Sequence, residues 1–343
     1  MLTSFLAKAK NFRNFFTFVS FSYLCICYFN LERFRMFLTW VLLIVGFALI
    51  TMGATWLTNG SAAIAQRLRI SEYVIGMTIV AVGTSLPELT VSIASTFAGS
   101  ADMAIGNIVG SNIFNILFVL GLCALFAPVV FTKSNVKIDI PICITVSVAL
   151  LVMLLNGNLS HLEGAVLLLC YIAIIIFSIR SGKQSDEEIE PQKNFSWLKS
   201  VGMVAVGFLG LIYGADLTLD SAVKIARDLG VSERVIAITL LAGGTSLPEL
   251  AASLVAIMRG HGAMALGNVV GSNIANILLI LGSCATISPL FMKGITMIDL
   301  MAMVGAVLLL LVSALVFGNR RIVRGEGIVF LAAYVVYIWY LIG

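Results

Sequence analysis

The chain has 343 residues, 60% of them apolar and 11% charged, with 21 basic and 17 acidic side chains for a net charge of +4. A soluble domain carries roughly 25% charged residues, and a globule in water cannot hide so large an apolar share. These values exclude a soluble enzyme, a disordered chain and a disulfide-rich secreted module. The near-balanced charge, without a basic block, argues against nucleic-acid binding. An all-α polytopic membrane protein remains, because helices satisfy their own backbone in lipid.

In chain order, residues 1–35 come first, with three early bases and then an aromatic-rich apolar run. With no small-residue cleavage site in view, we read them as an extension ahead of a true start at Met36. Ten segments then have the length and apolarity to cross a bilayer. They are 37–57, 73–98, 103–127, 138–155, 162–179, 200–220, 234–258, 263–290, 295–317 and 326–342. The long polar connection, 180–199, holds four bases and four acids and divides the chain into halves of 36–179 and 200–343. With the residue 36 end outside, the inner loops carry twelve Lys and Arg and the outer loops four. The positive-inside rule then places both ends outside and the linker in the cytoplasm. The six cysteines lie in apolar runs and read as small apolar residues.

The halves are copies. GTSLPEL occurs at Gly83–Leu89 and Gly244–Leu250, and GNIVGSNIFNIL at Gly106–Leu117 matches GNVVGSNIANIL at Gly267–Leu278, all at an offset of 161. Over residues 53–128 there are 37 identities in 76 gapless positions. Each unit contains five spans, an odd number, so the second enters from the opposite side. The expected architecture is therefore ten transmembrane helices in two inverted five-helix repeats. Secondary transporters use this plan, with the site near the midplane between repeats.

Most of the acids lie at span ends or in loops, but Glu88 and Glu249 fall in mid-span at matched positions. An intramembrane carboxylate marks function. At about 5 Å and an effective dielectric of about 20, two such charges repel by roughly 3 kcal/mol, and desolvation adds several more. The pair must take up protons or cations. Pro87 and Pro248 break the helix ladder near Ala81 and Ala242, freeing carbonyl oxygens. Thr84, Ser85, Thr245 and Ser246 add hydroxyls, and the facing motif adds Ser111, Asn112, Asn115, Ser272, Asn273 and Asn276. This all-oxygen inventory suits a hard cation such as calcium; softer metals would want His or Cys, and His161 and His261 fall in loops. Gly106, Gly110, Gly267 and Gly271 read as close-packing positions. Asp216 and Asp220, matched by Thr55 and Asn59, read as polar lining or caps rather than ligands. Asp139 and Asp299 read as interfacial.

The two GTSLPE and GNxxGSNIxN pairs resemble the alpha-repeat motifs of the calcium/cation antiporter superfamily, the sodium/calcium exchangers, over about residues 36–343. The lack of a large cytoplasmic insert resembles the bacterial members. The resemblance implies that Glu88 and Glu249 are carboxylates shared by Ca2+ and Na+. It implies further that Thr84, Ser85, Thr245, Ser246 and the carbonyls of Ala81 and Ala242 supply oxygens. Ser111, Asn115 and Ser272 would complete flanking Na+ positions. Asn276 departs from the family, which often has Asp there; an amide lacks the charge linked to potassium in potassium-dependent members. Both copies keep Gly-Ser-Asn, where proton-coupled members carry an acidic variant, and this favours sodium. The expected activity is Na+/Ca2+ antiport, with neither cofactor nor catalysis, and with long helices at the head of each repeat as moving parts. Ca2+/H+ antiport on the same scaffold and a cation channel stay open as rivals.

Overall fold

The structure, a computed structural model, describes residues 2–99, 101–181, 195–231, 236, 242–292, 294–317 and 320–342; the side chains of 1–33, 101–102, 242, 317 and 342 are outside the description. Most of the polar linker, 182–194, also lies outside the described residues.

Helix α1 (Leu2–Leu68) opens the chain. It continues well past the expected span end at 57; residues 58–67 contain no proline to break the ladder. Thr58 Oγ1 donates to the Ala54 carbonyl at 2.8 Å. The helix stops where Arg69 takes a left-handed φ of 52°. α2 (Glu72–Thr84) and α3 (Leu86–Phe97) meet at a bend of 45°. α4 (Met103–Phe126), α5 (Asn135–Asn156) and α6 (His161–Ser181) complete the first half. α7 (Trp197–Asp228) matches α1 and likewise outruns its expected end at 220. α8 (Leu247–Met258), α9 (Gly262–Ile287), α10 (Met297–Val316) and α11 (Arg324–Leu341) follow.

Among the described residues, eight helices are long and apolar enough to cross a membrane, and the bent α2–α3 pair makes nine if counted as one span. The remaining expected span, 234–258, is described from a turn of helix at Ala242–Gly244 and through α8; its first part, apart from residue 236, lies outside the described residues.

α4 and α9 are the most enclosed helices, while α1, α6 and α11 present much of their surface outward. The outward faces are apolar, with Phe37, Ile44, Leu169, Val335 and Trp339 exposed, as a lipid-facing surface requires. Gly267 and Gly271 of α9 fulfil the close-packing expectation. A Cβ at Gly271 would stand 2.5 Å from the Met77 carbonyl, and one at Gly267 would meet the Tyr73 carbonyl. Gly110, by contrast, meets nothing within 4 Å among the described residues.

Two strand pairs tie the halves together. β1 (Val129–Val130) pairs antiparallel with β4 (Arg321–Ile322), and β2 (Asn158–Leu159) with β3 (Leu290–Phe291). In each pair, a loop of the first half meets a loop of the second.

α1 and α7 share a seam of glycines. A Cβ at Gly53 would fall 2.7 Å from the Leu211 amide nitrogen, and one at Gly207 2.6 Å from that of Leu57. Backbone meets backbone here, so added atoms cannot be absorbed by a rotamer change. Gly53→Ala is expected to force the helices apart and to cost about 1–3 kcal/mol, read as a lower unfolding midpoint in detergent. Gly202→Ala, which meets nothing within 4 Å among the described residues, is the control expected to leave the midpoint unchanged.

Candidate ion-binding site

The site begins with a break in two helices. Ser85 (φ −82°, ψ 9°) interrupts the path from α2 into α3, and Ser246 (φ −91°, ψ 10°) does the same ahead of α8. Pro87 and Pro248 follow in the first helical turn, where a missing N–H leaves no bond unmade. Each break places a glutamate in the first turn of the restarted helix, Glu88 in α3 and Glu249 in α8. There the helix dipole favours negative charge.

Both glutamates are fully buried. Each is held by the serine that caps the other's helix. Ser246 Oγ donates to Glu88 Oε1 at 2.9 Å, and Ser85 Oγ donates to Glu249 Oε1 at 2.8 Å. The exchange repeats at the offset of 161, so the two halves meet here about a pseudo-twofold axis. The second oxygen of each carboxylate, Oε2, has no hydrogen-bond partner among the described residues, and neither do Ser111 Oγ, Asn115 Oδ1, Asn273 Oδ1 and Asn276 Oδ1. Six buried oxygens, two of them carboxylate, thus lack a donor among the described residues, and Asn115 Nδ2 lacks an acceptor; hard cations such as calcium are bound by oxygens of these types.

The Ala81 carbonyl takes the Ser85 N–H at 3.0 Å. The carbonyl facing the missing proline N–H is that of Gly83. Thr84 Oγ1 at 3.3 Å and Ser272 Oγ at 3.5 Å also approach Ala81 O, so its second lone pair faces hydroxyls of both repeats. The Ala242 backbone lies in the matched short helix.

α4 and α9 supply the floor. Asn112 Nδ2 donates to the Asn273 carbonyl at 3.2 Å, and Asn273 Nδ2 donates to the Asn112 carbonyl at 3.1 Å. Asn276 Nδ2 completes Asn112 by donating to its Oδ1 at 3.0 Å. Asn115 and Asn276 both sit in π-helical segments, Phe114–Leu120 and Asn276–Leu281, and such wide turns recur at functional positions.

Two further residues, not singled out from the sequence, complete the frame. Asn107 Nδ2 reaches Ser92 Oγ at 3.2 Å and the Glu88 carbonyl at 3.5 Å, while its Oδ1 receives Thr245 Oγ1 at 3.4 Å. Asn268 repeats this with Ser253 at 2.9 Å, the Glu249 carbonyl at 3.3 Å and Thr84 Oγ1 at 3.1 Å. Their place in the repeated GN motif is the signal that could have found them.

Other polar residues lie apart from this cluster. Asp216 and Asp220 are exposed on α7. Their counterparts Thr55 and Asn59 accept from the Arg259 guanidinium at 3.2 and 3.5 Å. Asp299 caps α10 through Thr296, Asp139 accepts from Asn135, and His261 pairs with Glu72 at 2.8 Å.

A helical bundle with apolar outer faces and an enclosed, two-sided oxygen cage defines a multi-pass membrane cation transporter. Comparison with known proteins is specific. Residues 38–180 and 199–343 match the family described as sodium/calcium exchanger protein. The putative antiporter CaxA of Alkalimonas amylolytica is 36% identical over 308 residues, covering 87% of this chain and 96% of its own. The sodium/calcium exchanger MaX1 of Methanosarcina acetivorans is 29% identical over 343 residues, covering 87% and 97%. Among solved structures, the exchanger NCX_Mj soaked with Na+ and Ca2+ superposes with a TM-score of 0.77 at 34% identity, covering 88% of this chain and 97% of that one. The chain belongs to the sodium/calcium exchanger family, and is a cation antiporter rather than an enzyme.

The reciprocal amide pair generates a direct expectation. Asn112→Leu removes one donor and leaves the Asn273 carbonyl buried without it, at a cost of about 1–3 kcal/mol. Asn273→Leu breaks the mirror bond, which runs from the other side chain to the other carbonyl, so the double variant, with both carbonyls unserved, should lose more than either single variant. Denaturation midpoints of the three proteins in detergent check this.

Proposed function

We propose that the chain exchanges Na+ for Ca2+ across the cytoplasmic membrane by alternating access and extrudes Ca2+. The observation that carries this reading is the carboxylate pair: two fully buried glutamates, one from each repeat, each with one oxygen tied to the opposite half and one without a donor. A doubly charged cation or several sodium ions would neutralise the pair, and Glu88, Glu249, Thr84, Thr245, Ser85, Ser246, Ser111, Ser272, Asn115, Asn276 and the carbonyls of Ala81 and Ala242 are the proposed ligand set. Only a neutralised cage can change sides without placing bare charge in a low-dielectric barrier. Exchange follows from that restriction. With three Na+ per Ca2+, the cycle moves one net charge and responds to membrane potential by about 2.3 kcal/mol per 100 mV. Sodium rather than proton coupling is favoured by the intact Gly-Ser-Asn in both motif copies.

The proposed topology is ten crossings, with repeats at 36–179 and 200–343 and a cytoplasmic linker at 180–199. Parity supports it. Paired strands must lie on one side of the bilayer, so an even number of crossings must separate them. Between β1 and β4 lie α5, α6, α7, α9 and α10, five helices that span by length. Evenness requires a sixth crossing, through 234–258. The same segment makes four crossings, rather than three, between β2 and β3. Charge supports the orientation: Lys133, Lys137, Arg320, Arg321 and Arg324 flank the β1–β4 pair, as expected of a cytoplasmic side.

Two measurements test these statements. In inside-out vesicles loaded with Na+ and diluted into Na+-free buffer, radioactive Ca2+ uptake is expected from the native protein. It should be abolished in Glu88→Gln or Glu249→Gln variants that still elute as folded protein; normal uptake in both would refute the site, and uptake driven by a pH gradient without Na+ would make the counter-ion a proton. For topology, Val130 and Arg321 face one another in register. With an oxidant added to the purified protein, cysteines at both positions should form a disulfide, since opposed strand residues lie within bridging distance. A single cysteine at Val130, with the six native cysteines replaced, should escape an impermeant thiol reagent added outside intact cells and react with it in inside-out vesicles.

A further inference from the structure

We infer that Asn107 and Asn268 are positioning residues that set the polarity of the threonine hydroxyls at the ion site. Each carries away the proton of a threonine from the opposite repeat, turning that oxygen's lone pairs toward the ion. This rests on the ion-binding reading above.

The argument starts from an amide whose orientation is forced. A backbone carbonyl can only accept. The terminal atom of Asn268 that faces the Glu249 carbonyl at 3.3 Å must therefore be its NH2 group, and the atom facing Thr84 must be its oxygen. Thr84 must then donate at this contact. Asn107 obeys the same logic, with its NH2 toward the Glu88 carbonyl at 3.5 Å and its oxygen toward Thr245. A hydroxyl has one proton. Within a helix, a threonine by default donates to a carbonyl of the preceding turn. For Thr84 that acceptor is Ala81 O, at 3.3 Å. Asn268 Oδ1 competes from 3.1 Å.

The outcome of the competition matters for the cage. One lone pair of Ala81 O already holds the Ser85 N–H. Ser272 Oγ also approaches that carbonyl, at 3.5 Å. Giving the Thr84 proton to Asn268 removes one of the two hydroxyl donors that compete for Ala81 O and leaves the lone pairs of Thr84 Oγ1 open to a cation. Outer-sphere acceptors that fix the orientation of metal ligands act in this way. Each asparagine also grips the glutamate-bearing helix of its own repeat through the Glu carbonyl and through Ser92 or Ser253. One amide thus fixes the carboxylate of one half relative to the hydroxyl of the other. Asn268 is buried, 1% exposed, and Asn107 is half-buried.

A double-mutant cycle tests the assignment. Half-saturating Ca2+ is measured for Na+-driven flux in liposomes with the native protein, Asn268→Leu, Thr84→Val and the double variant; melting in the absence of Ca2+ is recorded for each. Loss of one ligand-orienting hydrogen bond predicts about 3–10-fold weaker Ca2+ for Asn268→Leu. Thr84→Val should weaken Ca2+ at least as much, and the double variant should be no weaker than Thr84→Val alone. Multiplying losses, with native flux intact, would overturn the inference and leave the exchanger reading standing. Asn268→Leu that lowers the melting temperature without changing Ca2+ affinity would also overturn it, since a merely structural contact behaves so. A native protein without Ca2+ flux would overturn both. If Asn268→Leu does not fold, the cycle is run with Asn268→Ser, whose side chain is too short to reach Thr84, and with Asn107→Leu against Thr245→Val in the other repeat.

Discussion

Two carboxylates that cannot both be charged and unattended in a dry interior dictate the rest of this molecule. Each has its own restarted helix pointing an N-terminus toward it, and each takes a hydroxyl proton from the opposite repeat. None of the four groups in the Glu88–Ser246 and Glu249–Ser85 exchange is fully served by its own half, so neither repeat is a finished unit. The burial of α4 and α9, the glycine contacts that let α9 approach α2, and the reciprocal Asn112–Asn273 amides all hold the two halves in the register this exchange needs.

Duplication gives a simple route to such a site. A single motif, GTSLPE, supplies a turn, a hydroxyl, a helix restart and a carboxylate in six residues. Written once, it would bury an uncompensated charge. Written twice, the serine of each copy reaches the glutamate of the other. The second motif behaves alike: its first asparagine bridges the two halves, its second pairs with its own image, and its third stands in a π-helical turn. Short spacings inside each motif thus become contacts between residues 158 to 164 positions apart in the serine–glutamate and Asn112–Asn273 exchanges.

The sequence made the helical class, the duplication and the glutamate pair legible because each leaves a local mark: long apolar runs, verbatim repeats, and acids in mid-span. The break at Ser85 could be read from Pro87. The ends of α1 and α7 could not. Apolar counting stops at residues 57 and 220, but helices stop where capping or a left-handed residue ends them, and these two continue as helix; at Gly60 the extension of α1 packs on Ser200 and Val204 of α7. Asn107 and Asn268 escaped because an amide's role depends on what lies across from it, and that partner belongs to the other repeat. The strand pairs escaped for a related reason. Two-residue strands such as Val129–Val130 have no period to detect, and their partners lie nearly 200 residues away.

The crossed serine–glutamate bonds also bear on how the chain is made. Glu88 precedes its donor Ser246 by 158 residues. At about 5–20 residues per second, a translating ribosome needs roughly 8 to 30 s to cover that distance. Throughout that interval the first half resides at the insertion machinery with an acidic side chain in mid-span and nothing to receive it. Nascent-chain insertion must therefore shelter an incomplete bundle, with Glu88 kept hydrated or protonated, until the later half arrives and closes around it.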